Sequence, residues 1–127
     1  MTIFSYLDGI AEGKLVLERC ARCKATKMIS AMGVGPVEQP MCGHCHSLEW
    51  ESFEASGLAT VGSYIVNARS PAEPKPIFAM VVLDEGPTLY STLVDVDAAD
   101  VRNDMAVEAV FSEEDGCTLL QFRRVGA

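Results

Sequence analysis

The sequence predicts a mostly β protein in three parts: an N-terminal helix over residues 1–13, a small metal-closed ribbon over 14–52 and a five-stranded barrel over 53–127. Three observations carry this. Apolar residues near the N-terminus recur at helical spacing, two Cys-x2-Cys pairs lie 18 residues apart, and from Gly57 short apolar runs alternate with turn residues.

The helix rests on Ile3, Phe4, Leu7, Ile10 and Ala11, spaced to form one stripe, with Thr2 placed to cap its start and Gly13 its end. Leu15 to Leu17 form a short strand running into Cys20. Ser30, Gly33, Gly35, Pro36 and Pro40 mark a loop between the cysteine pairs. The change to barrel falls near residues 51–56. Leu58 to Ala68 is the first barrel strand, Ile77 to Leu83 the second and Leu89 to Val96 the third. Arg69 to Pro76, with three prolines, is a loop, and Asp84-Glu85-Gly86-Pro87 is a turn. Asp97 can cap a short helix that ends in a turn at Asn103-Asp104. Met105, Val107, Ala109 and Phe111 alternate as a half-buried strand does. Asp115-Gly116 is a hairpin signal, and Cys117 to Val125 returns with Leu120 and Phe122 on one face. Five strands, with a short helix between the third and fourth, is the order of the OB-fold.

The 127 residues allow one ordinary domain, or one with a small appendage. At 49% hydrophobic the chain is globular in composition. Its longest apolar run, Ile77 to Leu83, is far below the ~20 residues that cross a bilayer. Phe4, Tyr6 and Leu7 lie among polar residues with no basic segment before them, so the expected location is cytoplasmic. The net charge of −8 is uneven: −2 over residues 1–12, +2 over 13–50 and −8 over 51–127. Nucleic-acid binding rests on neutralising phosphates with Lys and Arg, and the long acidic part is poorly equipped for that.

Cys20, Cys23, Cys42 and Cys45 carry the most specific signal. Tetrahedral Zn²⁺ needs four soft ligands, and a two-residue spacer lets one tight turn present two thiolates. Disulfides disagree with a reducing compartment. A redox Cys-x2-Cys would stand once, beside a βαβ pattern that this chain lacks. Four protein ligands close the site, so the metal is expected to be structural. A segment with so few apolar residues would draw its folding energy, on the order of 10–16 kcal/mol, from the ion.

Other residues favour plainer roles. His44 and His46 lie at the second cysteine turn and are expected as exposed knuckle residues, although either could stand in for a cysteine. Cys117 is expected as a small buried apolar residue, with only Arg123 and Arg124 near it in sequence to activate it. Asp84-Glu85 and Glu113-Glu114-Asp115 are expected to be solvated turn residues. Trp50 and Phe53 are expected as apolar glue between ribbon and barrel. Tyr64, Phe78, Tyr90, Phe111 and Phe122 are assigned to core packing. No catalytic residue is assigned.

With these elements placed, the chain resembles a family of small bacterial and archaeal thiolase-associated proteins that join a leading helix, a rubredoxin-like zinc ribbon and an OB-fold. The resemblance rests on Phe4 and Leu7; Gly13-Lys14-Leu15; Arg19-Cys20-x2-Cys23; Cys42-x2-Cys45 with Ser47 and Glu49-Trp50; Ser56-Gly57, Thr60-Val61 and Tyr64; Pro76 and Val81-x-Leu83-Asp84-Glu85-Gly86; and Phe122-Arg123. It departs from the family in a longer loop between the cysteine pairs and in Arg102-Asn103-Asp104, where a glycine-containing turn is usual. The resemblance implies a non-catalytic subunit docking on a thiolase-like protein, with coenzyme A or acyl-CoA shared with that partner. Relatives are similar to a bridge to hydroxymethylglutaryl-CoA synthase, or to a partner of aldolase-type thiolases. In that role Arg19, Arg22, Lys24 and Lys27 could face an acidic partner or a CoA phosphate. The competing expectations are a nucleic-acid-binding ribbon and barrel and, more weakly, an enzyme using Cys117 or Asp84-Glu85.

Overall fold

The computed structural model describes residues 3–28, 39–73 and 75–126, with side chains from Leu7 onward. Helix α1 (Ile3–Ala11) lies against the first strand and the last. It ends at Gly13 in the left-handed region, as its sequence predicts, and turns Ile10 into the core. Thr2, most of the loop between the cysteine pairs and the side chains of Ile3 and Phe4 lie outside the described residues.

Strand β1 (Val16–Cys20) pairs antiparallel with β2 (Trp50–Glu54), matching Leu17 to Phe53 and Cys20 to Trp50. The sequence does not signal β2, because Trp-Glu-Ser-Phe-Glu is too polar to read as a strand. Among the described residues its backbone pairs with β1 alone, 30 or more residues away in sequence.

The remaining strands are β3 (Leu58–Val66), β4 (Ile77–Leu83), β5 (Thr88–Val94), β6 (Ala106–Glu114) and β7 (Cys117–Arg124). They close a barrel in the order β3-β4-β5-β7-β6, the expected OB-fold. A 3-10 turn, Ala98–Asp100, separates β5 from β6, and the Asp97 carboxylate accepts from the Ala99 amide as a cap. Asp115 and Gly116 both have positive φ, the backbone that a tight β6–β7 hairpin demands.

Val61, Val81, Val107 and Phe122 fill the barrel, and Ile10, Leu15, Leu17 and Ala55 join the same cluster. The core therefore runs unbroken from helix and ribbon base into the barrel.

Strand β3 holds an irregularity with consequences for the surface. The register with β4 slips between Val61 and Ser63, around Gly62. A Cβ at Gly62 would come within 2.8 Å of the Met80 Cε, so glycine lets the Met80 side chain lie over the strand. Because strand side chains alternate with period two, the bulge inverts the pattern. Ala59 and Val61 point inward, whereas Ser63 and Ile65 point out.

Candidate metal centre

The strand β1 delivers Cys20 and the turn after it Cys23, while a second turn carries Cys42 and Cys45. All four sulfurs lie within 4.8 Å of one another. The Cys20 and Cys45 Sγ atoms are 3.5 Å apart, as are those of Cys23 and Cys42. Disulfide sulfurs stand about 2.05 Å apart, so these are separate thiols. A tetrahedral ion with arms of about 2.3 Å needs edges of about 3.8 Å, which these spacings bracket. The four residues fit a metal ion.

The two turns repeat one design. The Cys23 amide donates to the Cys20 Sγ and the His44 amide to the Cys42 Sγ, both at 3.4 Å. The residue after each second cysteine, Lys24 or His46, takes the left-handed conformation, which tightens the turn. These donors favour thiolates. Cys20 is lowered to about 6, first by the Cys23 amide, and Cys42 is lowered by the amides of Cys45 and His44. At Cys23 the Ala25 amide acts to lower the thiol, but burial and the surrounding thiols push it up to about 12. Four crowded sulfurs cannot all ionise unless a cation joins them. Both histidines are exposed, and neither belongs to the sulfur cluster.

The expected basic face of the ribbon is corrected by the structure. Arg19 Nε and Lys24 Nζ both reach Glu51 Oε1, at 3.1 and 2.6 Å. Lys24 first, and then Arg19, hold the Glu51 carboxyl below the usual carboxylate range. Lys27 is buried, 3.3 Å from Glu18 Oε1, with its ammonium 4.2 Å from the Trp50 ring centroid. Of the four cations, Arg22 alone stays exposed without an ion pair among the described residues. The others hold the ribbon together and offer little to a phosphate.

The ring of Phe53 packs on the shared core under the Arg19 guanidinium, as glue between the two parts should. Trp50 instead serves the ribbon: it covers Lys27, and its Nε1 donates to the Pro40 carbonyl at 3.2 Å. Glu85 is not a freely solvated turn residue. Its carboxylate accepts from the Ser56 amide at 2.9 Å, and its carbonyl accepts from Thr26 Oγ1 at 3.2 Å. That ties the β4–β5 turn to both the linker and the ribbon. Asp84 is exposed beside it, and Glu113, Glu114 and Asp115 are exposed at the hairpin tip as expected.

Cys117 is exposed, against the expected burial, because it opens β7 opposite Glu114 at the hairpin mouth, beyond the barrel layer. Arg123 lies at the far end of that strand and is engaged by Glu108 at 2.9 Å. Of the five barrel aromatics, Phe122 is fully buried and Phe111 packs on the core, but Tyr64, Phe78 and Tyr90 are exposed. No helix of the described residues is long and apolar enough to cross a membrane.

Comparison with known proteins places this geometry. Residues 53–112 match the family model described as "ChsH2, C-terminal OB-fold domain". A DUF35 domain-containing scaffold protein of Pyrococcus furiosus is 30% identical over 96 residues, covering 68% of this chain and 70% of its own length. A probable enoyl-CoA hydratase alpha subunit of Thermomonospora curvata is 32% identical over 113 residues, or 87% of this chain. The chain spans only 33% of the length of that relative. The solved structure of an Ltp2-ChsH2(DUF35) aldolase is similar with a TM-score of 0.78 and 31% identity, covering 95% of this chain and 92% of that one.

Proposed function

The chain belongs to the DUF35-domain family, and from that premise we propose that it is a non-catalytic, zinc-containing accessory subunit that binds a thiolase-like partner and supports acyl-CoA or acyl-transfer chemistry. In this reading residues 14–52 form the zinc ribbon and 53–127 the barrel that the partner grips. The observation that carries it is the likeness, over nearly the whole chain, to the ChsH2(DUF35) component of an aldolase. The name of the Pyrococcus relative, a scaffold protein, supports the same role.

Zinc at Cys20, Cys23, Cys42 and Cys45 would have four protein ligands and no open position for water or substrate, which suits a structural ion. The residues weighed for catalysis stand in other settings: Glu85 ties the parts together, and Cys117 lies opposite an acid, Glu114, across the hairpin. The hydratase alpha subunit is matched over a third of its length, so its named activity is no guide to this segment.

The test is reconstitution with the thiolase-like protein of the same genome. Co-elution as a defined complex, with altered acyl-CoA turnover by the partner, is expected. Separate elution with unchanged turnover would overturn the reading.

The nucleic-acid reading draws support from the exposed Tyr64, Phe78 and Tyr90, since stacking platforms are what single strands need. It lacks the cations, because three of the five ribbon bases are paired internally and the barrel segment carries −8. A salt-dependent shift of a single-stranded oligonucleotide at micromolar protein would revive it.

A further inference from the structure

The outer wall of β3, β4 and β5 holds a groove of about 270 Å³ with no charged residue in its lining. Two rows of side chains build it. Strand pairing sets Ile65 beside Phe78 and Phe78 beside Thr92, and sets Ser63 beside Met80 and Met80 beside Tyr90. Ile65 is 71% exposed, Tyr90 56% and Phe78 49%. The groove's hydroxyls are partly spent within the fold. Ser91 Oγ donates to the Leu120 carbonyl, and Thr92 Oγ1 accepts from Gln121 Nε2, both at 3.0 Å. What remains for a ligand is apolar and aromatic surface with the hydroxyls of Ser63, Tyr64 and Tyr90. The wall continues without charge onto β7 through Leu119 and Gln121.

Resting on the accessory-subunit reading, we infer that this wall is the docking site for an apolar ridge on a partner protein whose surrounding surface is basic. At this wall β4 is paired on both sides, by β3 and by β5, so its central row is open to recognition through side chains alone. By strand spacing, the three lining residues on each of three strands cover roughly 150 Å². That is an apolar centre of about a fifth of the ~800 Å² a stable complex takes from each partner. The rest must come from the surface of the segment that carries the wall, residues 51–127, whose net charge is −8. A basic rim complements it. A nucleic acid would find no cation in the groove to meet its phosphates, and a second copy would bring the same negative charge.

The test compares full-length wild type, the double variant Phe78→Ser/Tyr90→Ser and the control Leu48→Ser for affinity toward the thiolase-like protein of the same genome. Leu48 is 72% exposed and lies on the ribbon, away from the wall. The double variant is expected to lose at least about 30-fold in affinity while keeping its melting temperature within a few degrees, and the control to stay within about twofold. If the double variant unfolds, Tyr90→Lys alone is used, which places a like charge against a basic rim and predicts the same loss. Tight wild-type binding that survives these changes overturns the docking site and leaves the accessory role standing. No wild-type binding overturns both. A wild-type dimer that the double variant turns into monomer assigns the wall to a second copy, and wall-dependent oligonucleotide binding assigns it to nucleic acid; either result overturns the proposal.

Discussion

The ribbon and the barrel are held together by different forces. The barrel buries Val61, Val81, Val107 and Phe122 against one another. Around the knuckles the buried side chains among the described residues are Cys20, Cys42, Glu18 and Lys27, a set with thiols and charges in place of hydrocarbon. The apolar part of β1, through Leu17, belongs to the barrel's own core. The two regions are thus continuous in packing and separate in energetics. The ribbon's tip depends on sulfur and charge, and its base on burial.

The sharpest way to break this contrast is to remove the ion. Chelation, or Cys42→Ser, should unfold the knuckles with a loss on the order of 10 kcal/mol of metal-linked stability. Metal analysis of the native protein should find one zinc per chain. After removal, protease cleavage should concentrate between residues 21 and 48 while the β signal of the barrel survives. A metal-free chain that resists protease there would refute the division.

Phe122→Ala attacks the other region. It should cost about 3–5 kcal/mol and lower the melting temperature of the whole chain, with zinc stoichiometry unchanged below the transition. Lys27→Met probes the charged tip: it removes the buried cation 3.3 Å from Glu18 and should cost about 3 kcal/mol, with Trp50 fluorescence reporting the loss of the cation over its ring. A Glu18→Leu/Lys27→Met pair should recover much of that loss, because burial without charge avoids desolvation.

Smaller effects sharpen the junction. Glu85→Ala removes the acceptor of the Ser56 amide and should cost about 1 kcal/mol, seen as faster hydrogen exchange at Ser56 and little change within the barrel. Cys117→Ser, at an exposed strand start, should move stability by less than about 0.5 kcal/mol and leave the partner's turnover unchanged.

Much of this was legible in the residues. Two Cys-x2-Cys turns can converge only if the chain between them closes a loop, so the spacing announces the sulfur cluster before any fold is known. The runs Leu58–Val66, Ile77–Leu83 and Cys117–Arg124 are strands because their apolar content and turn boundaries are local properties. The polar strand Trp50–Glu54 was not legible, since its stability lies in the β1 partner. The pairing of Arg19 and Lys24 with Glu51 was hidden for the same reason: these charges meet across 27 residues or more of sequence.

Local chemistry, then, determined from the sequence alone that the chain has four converging thiols, a helix ended by Gly13 and five barrel strands in OB order. Tertiary structure decided which side of each strand meets water. One extra residue at Gly62 turns Ile65 outward, beside Phe78, whose own exposure follows from plain alternation along β4, and the two join in an exposed apolar wall. A period-two pattern carries no memory of a bulge until a neighbouring strand fixes the register.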